Sequence, residues 1–406
     1  CVNLLSPGHP CVMGLWPFVS DLRTGAMTGG SGEEAVLNAA AAQVANWLGL
    51  PSGVAAGMAD SKVPDKRQRI IDELLGLTGD PARDRFNDLY AAWWTLKWAD
   101  LIRNSSNKLG EQGMWSLHNW IRESFRTNKS FDRFVGELVT AKGSIYSSGP
   151  ANYFRINSNA NDLTESTAQL FLGIRLECAK CHHHPFEKYS QGDYNGFAAF
   201  FKSVGTKRSE EFGLFGGESV VVVKAGATGK ATPLDGKPVE HPLDLRIPLA
   251  KWLTSKQNEF FSQNVVNRYV SYLLGRGLVE PVDDLRSTNP PTNVALMNAL
   301  SKHFVESNYD LKALVRAIVS SRLYQLRSQP TKANAGDTRF YSYYRVKRLA
   351  AEPLLDAAWR ASRLARRRAW APSARSCPSW EVLAQKPFRV PPGMRSIGIM
   401  WRPSSW

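Results

Sequence analysis

The sequence of 406 residues lacks the features that mark several large classes of protein. It has no run of about 18 apolar residues, the length that a membrane-spanning helix requires. It has only 5 cysteines, too few for a disulfide framework in a chain of this length. It has neither a glycine-rich phosphate-binding loop nor a G-x-S-x-G nucleophile elbow. The sequence therefore predicts no transmembrane segment and no disulfide scaffold.

The composition provides enough material for a globular protein of two or three domains. Hydrophobic residues make up 43% of the chain, a normal content for a protein with a sizeable core. The chain begins with Cys1 rather than with Met, so we expect it to be a fragment. A signal peptide upstream of the fragment is compatible with the sequence.

The positive charge of the chain is concentrated at its C-terminal end. The formal net charge is +15, but residues 359–406 hold nine Arg, one Lys and one Glu and so contribute +9 of it. Such a basic segment is more typical of a disordered tail than of a nucleic-acid reader, and its Trp-rich, aperiodic composition also fits a frameshifted gene end. We therefore predict no specific nucleic-acid partner.

The most informative motif is Cys178-Ala-Lys-Cys181-His182, which matches the C-x-x-C-H pattern of covalent c-type haem attachment. In such a site Cys178 and Cys181 each form a thioether to the porphyrin, and His182 is an axial ligand of the iron. Two other interpretations stay open. Together with His184 the motif can form a Cys₂His₂ metal site of the zinc type, or the two thiols can form a disulfide.

The motif follows a predicted helix. Asp162 with Glu165 three residues later is typical of a capping box, and an apolar stripe follows. If this helix continued to residue 182, both thiols and the imidazole would share one face, and Pro185 would end it. The next predicted helix begins at Ser190. Its aromatic side chains would either wall a haem crevice or form a core face; they are Tyr194, Phe197, Phe200 and Phe201.

The remaining pattern predicts a mainly α fold with two helical domains, at residues 58–208 and 243–358. The linker between them, residues 209–242, is either irregular or a small β-hairpin around the strand candidate at 220–223. Residues 1–57 have no clear assignment. A helix predicted at residues 83–102 carries three tryptophans, which are more typical of a core than of ligand stacking: Trp93, Trp94 and Trp98.

Several stretches carry a family resemblance. Those around the motif are Phe171-Leu172-Gly173-Ile174, Cys178 to Phe186, Asp193-Tyr194 and Phe197 to Phe201. They resemble a domain of unknown function abundant in planctomycetes, whose motif reads C-x-x-C-H-x-H-P. The second half resembles its usual partner domain, also of unknown function, through Leu249 to Thr254, Val266-Asn267-Arg268, Gly275 to Asp284, Asn289-Pro290-Pro291 and Tyr309 to Leu314. Family members often carry a cytochrome c-like domain and secretion signals. The resemblance therefore implies a periplasmic or otherwise extracytoplasmic protein.

The haem interpretation also requires a second axial ligand, and the sequence does not supply the usual one. No Met lies between residues 114 and 297, although small cytochromes c usually supply a Met later in the same domain. His241 and His303 are the remaining candidates. His182 and His184 are too close in sequence to bind opposite faces of one haem, which favours a shared metal ion.

Three functions of different classes follow. The first is electron transfer by a c-type haem with a redox partner protein. The second is a structural metal or disulfide node in a helical interaction module. The third is a secreted hydrolase that uses carboxylates such as Asp283 and Asp284 with the histidines. The sequence favours the first, and favours a role other than catalysis.

Overall fold

The computed structural model describes residues 65–185, 187–208, 219–224, 230–347 and 351. All of them except residue 351 belong to one compact unit. The described residues form eleven α-helices and three strands, which confirms the predicted mainly α fold. None of these helices is long and apolar enough to cross a membrane. The segment 1–57 and the tail 359–406 lie outside the described residues.

The elements follow one another in this order. The helices are α1 Lys66–Leu75, α2 Asn87–Ile102, α3 Ser106–Arg126, α4 Phe131–Thr140, α5 Asn152–Ile156, α6 Ala160–Thr167, α7 Gln191–Ala198, α8 Arg246–Leu253, α9 Glu259–Leu274, α10 Val294–Glu306 and α11 Leu311–Ser320. The strands are β1 Gly143–Ser144, β2 Val204–Arg208 and β3 Ser219–Val223.

One hydrophobic core extends through helices of both halves of the sequence. Trp94 of α2 stacks on Tyr269 of α9 with ring centroids 4.2 Å apart. Trp98 Nε1 donates a hydrogen bond to the Tyr269 hydroxyl at 3.4 Å. Phe131 of α4 stacks on Phe261 of α9 at 5.5 Å. All five rings are buried, and burial of such large apolar side chains is the main source of stability. The helices predicted as two domains therefore share a core.

The strands form one antiparallel sheet in the order β1-β3-β2. β2 pairs with β3, with Val204 opposite Val223. β3 contains the strand candidate at residues 220–223, whereas its partner β2 lies before the predicted linker. β1 pairs with the other edge of β3, with Gly143 opposite Val221. The sequence does not predict β1, because two residues are too few to show the alternating apolar pattern of a strand.

The helix before the motif does not continue to residue 182, so the condition under which both thiols and the imidazole would share one helical face is not met. Helix α6 ends at Thr167 and is followed directly by one π-helical turn, Ala168–Leu172. Gly173 terminates this turn. Gly173 has a φ of 68°, a left-handed conformation that glycine adopts without strain. Its carbonyl oxygen accepts a hydrogen bond from Leu285 N at 2.8 Å, and a Cβ here would lie 3.0 Å from Leu285 Cγ. Packing against the loop after α9 therefore fixes the break.

Candidate functional site

The C-x-x-C-H motif forms a short turn at the surface, here named the motif turn (residues 177–184). Glu177–Lys180 is one 3₁₀ turn. The backbone amides of Cys181 and His182 both donate to the carbonyl oxygen of Cys178 at 3.4 Å. Cys178 and Cys181 are exposed and carry free thiols. Both thiols are therefore accessible to a cofactor from solvent.

The backbone of the motif turn is anchored, although its reactive side chains are exposed. Ala179 is fully buried, and its amide donates to a backbone carbonyl at 2.9 Å. Gln191 Nε2 donates to the carbonyl oxygen of Lys180 at 3.0 Å. Beyond the turn, Ser190 and Asp193 form a capping box that begins α7, as predicted. The turn therefore presents its thiols and imidazole from a defined backbone.

The imidazole of His182 is oriented by its neighbour in sequence. Its Nδ1 lies 2.7 Å from the carbonyl oxygen of His183. Because a carbonyl oxygen can only accept, this hydrogen bond places the proton on Nδ1 and leaves Nε2 with the free lone pair. Histidines that ligate metals commonly donate their other ring N–H to a backbone carbonyl in this way. The bond therefore prepares Nε2 of this exposed side chain as a ligand.

His184 lies in a different environment and is partly buried. Its amide donates to the carbonyl oxygen of Tyr189 at 2.9 Å. Burial raises the pKa of nearby Glu187, and the charges of His184 and Arg286 oppose this rise. Among the described residues, no three His, Cys, Asp or Glu side chains come together closely enough to hold a metal ion. The Cys₂His₂ site stays a prediction, since exposed side chains can reorient around an ion.

The aromatic side chains that follow the motif turn form a core face. Phe197, Phe200 and Phe201 are at most 1% exposed. Phe197 packs edge-to-face on Trp252 of α8, with ring centroids 6.0 Å apart. The Tyr194 hydroxyl donates to Glu165 Oε1 at 2.8 Å. Of the two interpretations that the sequence left open for these rings, the core face therefore describes the observed packing.

The predicted second axial ligands take part in other contacts or lie at the surface. His241 Nδ1 accepts hydrogen bonds from the amides of Leu243 and Asp244 at 3.2 and 3.0 Å. His241 is therefore a turn-forming residue just before α8. His303 is exposed on α10. Met297, on the same helix, is fully buried in the core.

The carboxylates suggested for hydrolysis are ion-paired. Arg175 Nη2 lies 2.6 Å from Asp283 Oδ1, and Arg286 Nη2 lies 2.7 Å from Asp284 Oδ2. Burial alone would raise the pKa of Asp283, but hydrogen bonds from Arg175 and Gln169 outweigh it and lower the pKa. The Arg175–Asp283 pair links the segment before the motif turn to the loop after α9, whereas the Arg286–Asp284 pair lies within that loop. The arrangement is that of a salt-bridged loop.

A polar cavity with a volume of about 260 Å³ lies beside the motif turn, and no sequence pattern predicts it. Its charged lining residues are Arg103, Asp162, Glu165, Glu177, Arg268 and Asp283. Glu177 is the first residue of the motif turn, and Lys180 of the same turn lies 3.5 Å from Glu165. Residue spacing in the sequence does not predict this cavity, because its lining residues come from distant segments in both halves of the chain.

The fold and the motif turn define a mainly α protein in which two sequence halves meet beside an exposed C-x-x-C-H turn. Comparison with family profiles identifies both halves. Residues 47–206 match PSCyt2, a protein of unknown function (DUF1549), and residues 245–404 match PSD1, a protein of unknown function (DUF1553). The chain therefore matches the two paired planctomycete domains one after the other, in the order that the resemblance predicts. The second match includes most of the basic tail, although the sequence pattern predicts that the partner domain ends at residue 358.

The N-terminal residues are similar to a different class of protein. Residues 1–79 match the profile of trimethylamine methyltransferase (MTTB) and overlap the PSCyt2 match from residue 47 onward. A stretch of 61 residues is 39% identical to the glycine betaine methyltransferase of Desulfitobacterium hafniense (strain Y51). This stretch is 15% of the chain and spans only 13% of that methyltransferase. No solved structure matches the chain significantly.

Proposed function

We propose that this chain is an extracytoplasmic electron-transfer protein that carries one covalently attached c-type haem at the motif turn. Cys178 and Cys181 would form the thioether bonds, and Nε2 of His182 would ligate the iron. The observation that carries the proposal is the hydrogen bond of His182 Nδ1 to the His183 carbonyl, because it leaves the ligating nitrogen free. When bound, the haem would supply one-electron chemistry.

The donor set fits the chemistry of attachment. Thioether formation adds each S–H bond across a vinyl group of the porphyrin, so both sulfurs must be reduced and reachable. Cys178 and Cys181 meet both conditions, since they are free and exposed. The two thiols need to reach only the edge of a macrocycle, whereas zinc ligands must converge on one point. Two free, exposed thiols on one turn therefore fit the attachment of a haem.

The surroundings of the motif turn favour a haem that lies on the surface. The rings of Phe197, Phe200 and Phe201 are already packed in the core, so they do not wall a crevice beside the thiols. Solvent exposure is one of the factors that set the reduction potential of a haem. A haem edge open to solvent would exchange electrons directly with a redox partner protein that binds this surface.

Expression with a secretion signal, in a host competent for cytochrome c maturation, tests the proposal. We expect haem that stays with the chain through denaturing electrophoresis and a pyridine haemochrome spectrum typical of two thioether bonds. Cys181→Ala should remove one thioether and shift that spectrum, and His182→Ala should remove the axial ligand and change the spectrum of the native protein. His183→Ala is the matched control, because the carbonyl that orients His182 remains.

A second outcome would contradict electron transfer. If the secreted chain holds no covalent haem but about one zinc ion, the Cys₂His₂ alternative replaces the haem proposal. In that case Cys181→Ala should lower the thermal stability through loss of the metal, and a chelator should have the same effect on the unaltered chain. A chain with neither group, and with a bridge between Cys178 and Cys181, would point to the disulfide node.

A further inference from the structure

We infer that the polar cavity beside the motif turn binds a neutral cyclic polyol of the size of a monosaccharide. Such binding goes beyond electron transfer and does not depend on an attached haem. Three features of the cavity support it. Charged groups of both signs balance one another in the lining, a buried guanidinium nitrogen has no hydrogen-bond partner among the described residues, and apolar side chains form part of the same wall.

The cavity lies where segments from both halves of the sequence meet. The end of α2, helix α6 and the π-helical turn after it contribute to the wall from the first half. Arg268 of α9 and Asp283 of the loop after α9 contribute from the second half. The volume of about 260 Å³ is close to the lower end of the range of ligand pockets. A single sugar ring therefore suits the cavity better than a large cofactor.

The charges around the cavity balance. Its lining contains two guanidinium groups and four carboxylates, those of Arg103, Arg268, Asp162, Glu165, Glu177 and Asp283. Glu165 is paired with Lys180 at 3.5 Å, and Asp283 is paired with Arg175 at 2.6 Å. With these two partners, four positive charges lie beside four negative ones. A balanced lining attracts neither an anion nor a cation as such, so it favours a neutral ligand.

Hydroxyl groups suit a lining of mixed charge, because each hydroxyl can donate one hydrogen bond and accept others. A hydroxyl between a carboxylate and a guanidinium donates to the first and accepts from the second. Both bonds are charge-assisted and stronger than bonds between neutral groups. A ligand with several hydroxyls therefore uses the positive and the negative groups of the wall at the same time.

Arg268 supplies a buried donor. It lies on α9 and is only 7% exposed. Its side chain forms a hydrogen bond with Tyr272, which helps to orient the guanidinium. Its Nε is buried and makes no hydrogen bond to a described residue. A buried donor without an acceptor is costly, so a ligand hydroxyl that accepts from the cavity wall would remove this cost.

Two carboxylates of the lining supply acceptors. Asp162 lies in the first turn of α6 and is partly buried, and Glu177 is exposed on the motif turn. Neither side chain forms an ion pair with a described residue. Their oxygens therefore have lone pairs available for the hydroxyls of a ligand.

Apolar side chains form the rest of the wall and favour a ring over an open chain. They are Leu101, Ile102 and Leu170. Leu101 and Leu170 are only partly buried, so part of their surface remains accessible. The C–H bonds of a sugar ring form an apolar face, and packing that face on leucine side chains removes apolar surface from water. A cyclic polyol therefore matches both the apolar and the polar parts of the wall.

Calorimetric titration of the full chain without haem tests the inference with D-glucose, D-galactose, D-mannose and myo-inositol. Acetate and L-alanine are the comparison ligands, the first an anion and the second a zwitterion. We expect at least one of the four polyols to bind with a Kd of about 1 mM or tighter. Acetate and L-alanine should bind at least about 10-fold more weakly than that polyol.

Two variants link binding to the cavity. Asp162→Asn and Glu177→Gln should each weaken polyol binding by about 5-fold or more, since each replaces a charged acceptor by a neutral group of similar shape. Asp88→Asn is the matched control and should leave the Kd unchanged. Asp88 also lies in the first turn of a helix, but it is exposed and does not line the cavity. Circular dichroism checks the fold, and Glu177→Gln decides the question if the Asp162 variant is unfolded.

Three results would overturn the inference. The first is that none of the four polyols binds at concentrations up to about 50 mM, since even a weak specific site would be occupied there. The second is binding of acetate or L-alanine as tight as that of the best polyol, because a charged group would then be recognised. The third is a Kd that neither cavity variant changes, whereas weakening by either one supports the site. Because the titration uses the chain without haem, a failure here is distinct from a failure of haem attachment.

Discussion

The ring cluster (Trp94, Trp98, Phe131, Phe261 and Tyr269) and the motif turn differ in how they place their side chains. The cluster buries its side chains in the core, and the motif turn exposes its thiols to solvent. Trp98 is fully buried between Phe131 and Tyr269, and its indole nitrogen is hydrogen-bonded. Cys178 and Cys181 are exposed on a turn whose backbone is fixed by other residues. Packing explains the residues of the cluster, but it does not explain two thiols in solvent. Side chains that packing does not require, presented from a fixed backbone, are where binding should be sought.

Of the substitutions that test this difference, Trp98→Ala should have the largest effect on the free energy of unfolding. The change removes a fully buried indole that contacts rings from both halves of the sequence, so we expect a loss of about 3–5 kcal/mol in the free energy of unfolding. Urea denaturation followed by circular dichroism measures it. Trp115→Ala is the matched control, because Trp115 is 54% exposed and should cost less than about 1 kcal/mol.

A Trp98 variant as stable as the Trp115 variant would show that the ring cluster does not hold the unit together. The same experiment also tests whether the two halves unfold as one. Because α2, α4 and α9 share these rings, we expect a single cooperative transition rather than two. Two separate transitions would mean that the halves behave as independent domains.

The buried helices could be predicted from the sequence because their signal is local. In the predicted helix at residues 83–102, tryptophans recur at helical spacing, and α2 buries Trp94 and Trp98 as a core face. The capping box at Ser190 and Asp193 could also be predicted, because its two residues lie within four positions of each other. Local patterns of this kind carry their own structural meaning.

The geometry of the site could not be predicted, because it depends on contacts between distant residues. The helical segment before the motif stops at Gly173, and that glycine packs on Leu285 of the other half. The cavity joins Arg103, Glu177 and Arg268, which no sequence period connects. The sequence therefore identified the reactive residue types of the motif, but not the backbone that presents them or the cavity beside them.

Loss of the ion pair between Asp283 and Arg175 should lower the free energy of unfolding by an intermediate amount. We expect an effect smaller than that of Trp98→Ala and larger than that of replacing the exposed cysteines. Asp283→Asn removes a partly exposed pair at 2.6 Å, so we expect a loss of about 1 kcal/mol at neutral pH. The pKa of Asp283 is lowered below its ordinary value of 3.8, so the ionised form stabilises the fold. This contribution is present above 3.8 and is lost as the pH falls through the lowered pKa.

Denaturation curves at a series of pH values test that sign. The unaltered chain should exceed the Asn variant in stability near neutral pH, and the difference should disappear only at pH values below 3.8, when Asp283 is protonated. Glu240→Gln, at an exposed position outside the motif turn and the cavity, is the control and should leave the curve unchanged. A difference that persists at the lowest pH would mean that packing of the side chain, rather than its charge, links the two segments.

The smallest effect is expected at the motif turn, and it separates the two chemistries proposed for it. In the chain without haem, replacing both Cys178 and Cys181 by Ser should change the free energy of unfolding by less than about 0.5 kcal/mol, because the two thiols are exposed and unbridged. Urea denaturation with and without a chelator measures this. If the thiols instead hold zinc, binding contributes to folding, so both the double variant and the chelator should destabilise the chain by several kcal/mol. A small effect would show that the two cysteines, unlike the rings around Trp98, do not stabilise the fold. Attachment of a cofactor would then explain why cysteines occupy these positions.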